Sequence, residues 1–127
     1  MLDLMARQTL THTYDVQSGW SRTDPPHHIF HSVAALTTPG NVPPDGLAAL
    51  VVAPVTAGGC DGVTLQVFPL ATDCQAAQRT MLKNGRLVAP MLNTRIMLDS
   101  AGNRVILMPA AKETCIAISV DTRFGTP

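Results

Sequence analysis

Thr94-Arg-Ile-Met-Leu-Asp-Ser-Ala-Gly-Asn-Arg-Val-Ile-Leu-Met108 decides the fold class. Two runs rich in β-forming residues flank Ser100-Ala-Gly-Asn103, residue types that tolerate tight turns and positive φ, so the stretch predicts a hairpin. Thr94, Ile96 and Leu98 share one face of the first run, against Arg95 and Met97. In the second, Val105 and Leu107 oppose Arg104, Ile106 and Met108. Apolar residues on both faces set the hairpin inside a barrel or sandwich, or against another subunit. A third run, Thr114 to Val120, puts Ile116, Ile118 and Val120 on one face and the small Cys115, Ala117 and Ser119 on the other.

Upstream, Leu47-Ala-Ala-Leu-Val-Val-Ala53 is a continuous apolar run, expected to be a strand buried on both faces. Pro54 and Ala57-Gly-Gly-Cys-Asp-Gly62 supply a turn. Val63 to Phe68 then alternates, with Val63, Leu65 and Val67 on one face and Thr64 and Gln66 on the other, until Pro69 is expected to stop it. The two runs predict a second hairpin. Residues 71–85 carry two competing signals. Thr72-x-x-Gln75 has capping-box form, with Cys74, Ala77, Met81 and Leu82 near one helical face, whereas Asn84-Gly85 is a strong hairpin signal. A short helical turn over 73–78 followed by a hairpin satisfies both. Pro90 is expected to interrupt the chain before Thr94.

Residues 1–45 differ in composition. They hold all four histidines, the only Trp and Tyr, and Pro25, Pro26, Pro39, Pro43 and Pro44. Thr9 to Val16 alternates weakly, with Leu10, His12, Tyr14 and Val16 on one face. Ser18 to Pro26 reads as an irregular loop, and Ile29 to Leu36 as a short strand. The expected organisation is an extended, Pro-rich N-terminal arm over 1–45 and a mainly-β domain over 46–127, a small β-barrel or β-sandwich with at most one short helix; a packed but irregular N-terminal half of the same domain is the equal alternative for 1–45.

The chain has 127 residues, a length suited to one domain. Only 14% of them are charged, so solvated groups are scarce for covering a monomer's exterior. That scarcity points to a surface covered by another chain. Nine basic and nine acidic residues balance, and no Lys/Arg run supplies the footprint of a nucleic-acid binder. No apolar stretch approaches the ~20 residues of a membrane-spanning helix. Met1 to Arg7 lacks the basic start and apolar centre of a signal peptide, and Met5 is a candidate start. Cys60, Cys74 and Cys115 make an odd count without C-x-x-C spacing, which reads as buried thiols in a reducing compartment; a Cys60–Cys74 pair is the alternative.

The one conspicuous polar cluster is His27-His28-x-x-His31. His27 and His31 suit one metal ion if the stretch is helical, with Asp24 or His12 as a further ligand. The competing readings are a pH-sensitive contact and a loop whose imidazoles meet a neighbouring chain. No Gly-x-Ser-x-Gly and no triad signature occurs; Asp15, Asp24, Asp61, Asp73 and Asp99 are scattered, and Glu113 is the only Glu. Ala57 to Gly62 lacks the Gly-Lys-Ser/Thr ending of a phosphate loop. The expectation is therefore a non-enzymatic protein without a cofactor. Trp20, His27, His28, Phe30 and His31 are its candidate partner-binding residues, the aromatic ones as anchors.

Leu98-Asp-Ser-Ala-Gly-Asn-Arg-Val105, followed by Glu113-Thr-Cys-Ile-Ala-Ile-Ser-Val120, resembles the C-terminal part of capsid decoration (cement) proteins of tailed bacteriophages. In that family a strand ending in Asp, an Ala-Gly turn, a second strand and a Thr-x-Ile-x-x-x-Val-like final strand recur. The resemblance covers some 25 residues, and this chain has Ala117 where the family pattern has Gly. It implies a virion structural protein, assembled in the host cytoplasm, that binds the major capsid protein or other virion subunits as a homo-oligomer, with a trimer expected. A tail or baseplate component is the near alternative. A small metal-binding or enzymatic domain using His27, His28 and His31 is the distant one.

Overall fold

The computed structural model describes residues 13–37, 45–56, 58–92, 94–99 and 101–125. Eight strands form one antiparallel sheet: β1 (Thr13–Gly19), β2 (Phe30–Thr37), β3 (Asp45–Pro54), β4 (Cys60–Leu70), β5 (Arg86–Met91), β6 (Thr94–Leu98), β7 (Arg104–Ala110) and β8 (Thr114–Arg123). Their order is β1-β2-β3-β4-β8-β7-β6-β5. The first four strands and the last four are each a meander, joined where β8 returns to pair with β4. β1 and β5 end the ladder without pairing to each other, so the architecture is sandwich-like rather than a closed barrel. A single α-helix, α1 (Cys74–Met81), connects β4 to β5 and packs against β7 and β8.

The expected hairpin around 100–103 is present, with Leu98 opposite Arg104. Its turn is built by Asp99. One carboxylate oxygen accepts the backbone N–H groups of Ala101 and Asn103, both at 2.9 Å, and the Asp99 carbonyl accepts from Gly102 at 3.0 Å. Gly102 takes φ +84°, a conformation that a side chain would strain. The Asp and Gly of this motif are thus accounted for by turn chemistry. The hairpin expected over Leu47 to Phe68 is also present, as β3 and β4.

Every buried side chain of the sheet lies on one face, the inner one. One cluster joins Ala34 and Leu36 of β2 to Ala48 and Leu50 of β3, with Val52 and Phe68 packed against it. A second joins Leu70, Cys74, Ala77, Leu107 and Cys115 beneath α1. The aromatic ring of Phe68 lies over Gly46, where a Cβ would stand 2.5 Å from it. Only glycine permits that approach.

Several expectations are corrected. Residues 13–37 do not form a separate arm: β1 and β2 belong to the sheet, and Ser32, Ala34 and Leu36 lie in its core. The alternation Ser-Val-Ala-Ala-Leu over 32–36 supplies three small or apolar residues to one face, which is enough to dock β2 onto β3. Residues 1–12 and 38–44, including Leu10, His12, Pro39, Pro43 and Pro44, lie outside the described residues. β3 is covered on one face only, since Leu47 is 49% exposed while Ala48 and Leu50 are buried. Residues 80–89 form no hairpin: the helix runs to Met81, and β5 pairs with β6. Its cap is Asp73, not Thr72, whose carboxylate accepts the Ala76 N–H at 2.8 Å. Met81 is exposed, while Cys74 and Ala77 face the core.

Neither Pro69 nor Pro90 stops its strand. Pairing of β4 with β3 ends at Val67, so Pro69 owes no ladder bond on that side. Pro90 sits on β5, an edge strand. The cysteine expectation fails most clearly. Cys74 of α1 and Cys115 of β8 form a disulfide across 41 residues, while Cys60 is an exposed thiol. The helix face that carries Cys74 and Ala77 lies directly over Cys115 and Leu107, which brings the two sulfurs together.

Candidate functional site

The residues singled out in the sequence fall in the connection from β1 to β2. Gly19 ends β1, and Pro25-Pro26 open a 3-10 turn over Pro25–His27. The fixed φ of proline suits a helical first turn, and its missing N–H costs nothing there. Ser21 Oγ accepts the Asp24 N–H at 3.4 Å, and the His27 Nδ1 lies 2.7 Å from an Asp24 carboxylate oxygen. Both Asp24 and His27 are well exposed to solvent, so this pair contributes little to stability.

The five candidates do not form one site. Trp20, His27 and His28 project into solvent from the connection, with Trp20 58% exposed. Ile29, which the sequence reading did not single out, is equally exposed beside them. Phe30 is half-buried at the start of β2, on the side of Ser32 and Ala34. His31 is exposed on the opposite side, and its ring fills the space that a Cβ at Gly19 would need, 2.5 Å away. Strand geometry separates His31 from His27 and His28: the stretch is not helical, which was the condition for a shared metal ion, and β2 starts at Phe30. Among the described residues no three His, Cys, Asp or Glu side chains converge on a metal position.

The larger feature extends the two-faced apolar pattern of residues 94–108 across the sheet. The outer face of the sheet is apolar across six strands. One row runs Ile96, Ile106, Ile118, Val67, Leu47, Ala35 from β6 to β2, each residue directly opposite the next. The adjacent row runs Leu98, Arg104, Val120, Leu65, Ala49, Val33. None of these side chains is buried, and Val33, Leu47 and the neighbouring Met108 are among the exposed hydrophobics. Arg104 is the one charge within the two rows. A recess of about 420 Å³ opens at one end of this face, lined by Ala35, Leu47, Val67 and Pro69.

The alternation on β4 carried the signal. Its apolar set, Val63, Leu65 and Val67, points away from the core, and Thr64 points into it. The Thr64 hydroxyl is buried and has no hydrogen-bond partner among the described residues. β8 repeats the pattern, with Ile116, Ile118 and Val120 outside and Cys115, Ala117 and Ser119 inside. Bringing a half-covered Val, Leu or Ile to full burial contributes on the order of 1 kcal/mol, so the outer face holds a sizeable unused driving force.

Among the described residues no helix is long and apolar enough to cross a membrane. No protein-family model, curated protein or solved structure matches the chain.

Proposed function

We propose that this protein is a virion structural protein, a decoration protein that binds the assembled head of a tailed bacteriophage. The observation that carries the reading is the pair of large apolar side chains, Trp20 and Ile29, held in solvent by the β1–β2 connection. Tryptophan is a strong interface anchor, and the proline-bounded turn beside it limits the entropy lost on docking. His27 and His28 line the same connection and supply polar contacts around that anchor. The disulfide is consistent with a chain that works outside a reducing cytoplasm, as a virion surface does. The resemblance over Leu98 to Val120 agrees in direction, although its turn residues have a local structural reason.

The mechanism is mass action. Each bound copy bridges neighbouring shell subunits and stabilises the assembled head in proportion to occupancy. Cosedimentation of the purified chain with assembled heads of tailed bacteriophages tests the reading. Binding is expected, and Trp20→Ala is expected to weaken it about tenfold or more, the loss typical of a central aromatic anchor. Absence of binding, or binding to tails alone, overturns the decoration reading. Binding unaffected by Trp20→Ala moves the anchor elsewhere.

A further inference from the structure

We infer that the outer face of the sheet is the interface between two copies of this chain, packed sheet against sheet. The inference requires only a second copy, so it stands independently of the capsid reading.

The sequence pattern gives the first reason. The two central strands, β4 and β8, carry a continuous set of apolar side chains on the uncovered face: Val63, Leu65, Val67, Ile116, Ile118 and Val120. Their covered face receives Thr64, Gln66, Phe68 and Leu70 from β4 and Cys115, Ala117 and Ser119 from β8. Strand register is set by which face is buried, and one residue of slip would reverse the arrangement. The disulfide between Cys74 and Cys115 and the packing of Phe68 over Gly46 hold the observed register. Both faces are therefore specified, and both are built for burial.

The second reason is size. Two rows of outward side chains cross all six strands, and Met108, Ile116 and Pro69 on one side and Thr122, Val63, Val51 and His31 on the other extend them over part of the sheet. At ~33 Å² of sheet per outward residue, the strand spacing times a two-residue repeat, the face covers on the order of 600 Å² per copy, against ~800 Å² per partner of a standard interface. A face of that extent lies at the upper end of the apolar patches that monomers expose.

The third reason selects a second copy over a foreign partner. Two identical sheets share one twist, so they stack in the aligned arrangement of a sandwich. The two central rows contain one charge, Arg104, next to Leu98 at the turn end of β7, where its long side chain reaches the rim. Self-association therefore brings no like charges together at the centre, and no charge pattern there selects a different partner.

Mass measurement by light scattering on the oxidised full chain tests the inference, together with the variants Ile118→Lys and Val67→Lys. Both side chains are only partly buried in the single chain, and unchanged far-UV circular dichroism is expected of both variants. The native chain is expected at twice the monomer mass and the variants at half of that value. A second measurement needs no substitution: in the native dimer, methyl signals of Ile96, Ile106 and Ile118 are expected to be shielded from a water-soluble paramagnetic probe. A native monomer overturns the inference, including one whose methyls are shielded by its own chain. A trimer, a dimer with accessible methyls, or variants that remain dimeric overturn it as well.

Discussion

Along β2 the inward residues Ser32, Ala34 and Leu36 are buried, and the outward His31, Val33, Ala35 and Thr37 mix polar with small or apolar groups. Along β4 the polarity is reversed: Thr64 is buried, and Val63, Leu65 and Val67 face out. β2, one strand in from the edge, thus behaves as a half-solvated antiparallel strand should, while the centre of the sheet does not. The difference teaches that the centre answers to two environments. Its inner side mixes the large Phe68 and Leu70 with Thr64, Cys115 and Ala117 beneath α1 and the disulfide, and its outer side is apolar along its length.

The inner face should therefore dominate the stability of the single chain. Reducing the Cys74–Cys115 bond should have the largest effect, about 4 kcal/mol for a link across this length of chain. Urea unfolding with and without reductant, in a Cys60→Ser background that prevents thiol exchange, measures it. A loss below 1 kcal/mol would mean that the helix docks without the link.

The next effect compares like with like across the sheet. Leu50→Ala, at a fully buried inner position, should cost about 3 kcal/mol by lost transfer energy and a residual cavity. The same change at Leu65, on the outer face, should cost under about 1 kcal/mol when measured at dilutions where the chain is single. Equal losses at the two positions would erase the distinction between the faces.

The smallest effect has the opposite sign. Thr64→Val keeps the shape of the side chain and removes a buried hydroxyl that has no partner among the described residues. It should raise stability by about 1 kcal/mol, read as a shift of the urea midpoint at constant slope. A loss of stability would show that the hydroxyl has a role in the native state that its surroundings do not display.

How much of this was legible is clearest residue by residue. The hairpin around Asp99 to Asn103 could be read because its cause is local: a short carboxylate and a glycine close the turn by themselves. The helix over Cys74–Met81 was half legible, since its apolar face was visible but Asn84-Gly85 offered an equally local alternative. The strand over 29–36 was legible and is β2, but composition hid that β1 and β2 belong to the sheet. Proline and histidine in the connection and beyond β2 pointed instead to an extended arm. The candidate set was chosen as a sequence cluster, and it dispersed because a strand sends His31 away from the turn that carries His27 and His28.

By itself the sequence determined the class of the fold, the two hairpins and which side chains share a face, because turn chemistry and the two-residue period of a strand act over a few residues. Only the tertiary structure decided which face became the core. Alternation on β4 separates Val63, Leu65 and Val67 from Thr64 with equal clarity whichever way the strand is turned. The choice was made by contacts between distant segments: Cys74 with Cys115, Phe68 with Gly46, and α1 with β7 and β8. Together these contacts cover the side of Thr64 and leave that of Val63, Leu65 and Val67 only partly covered.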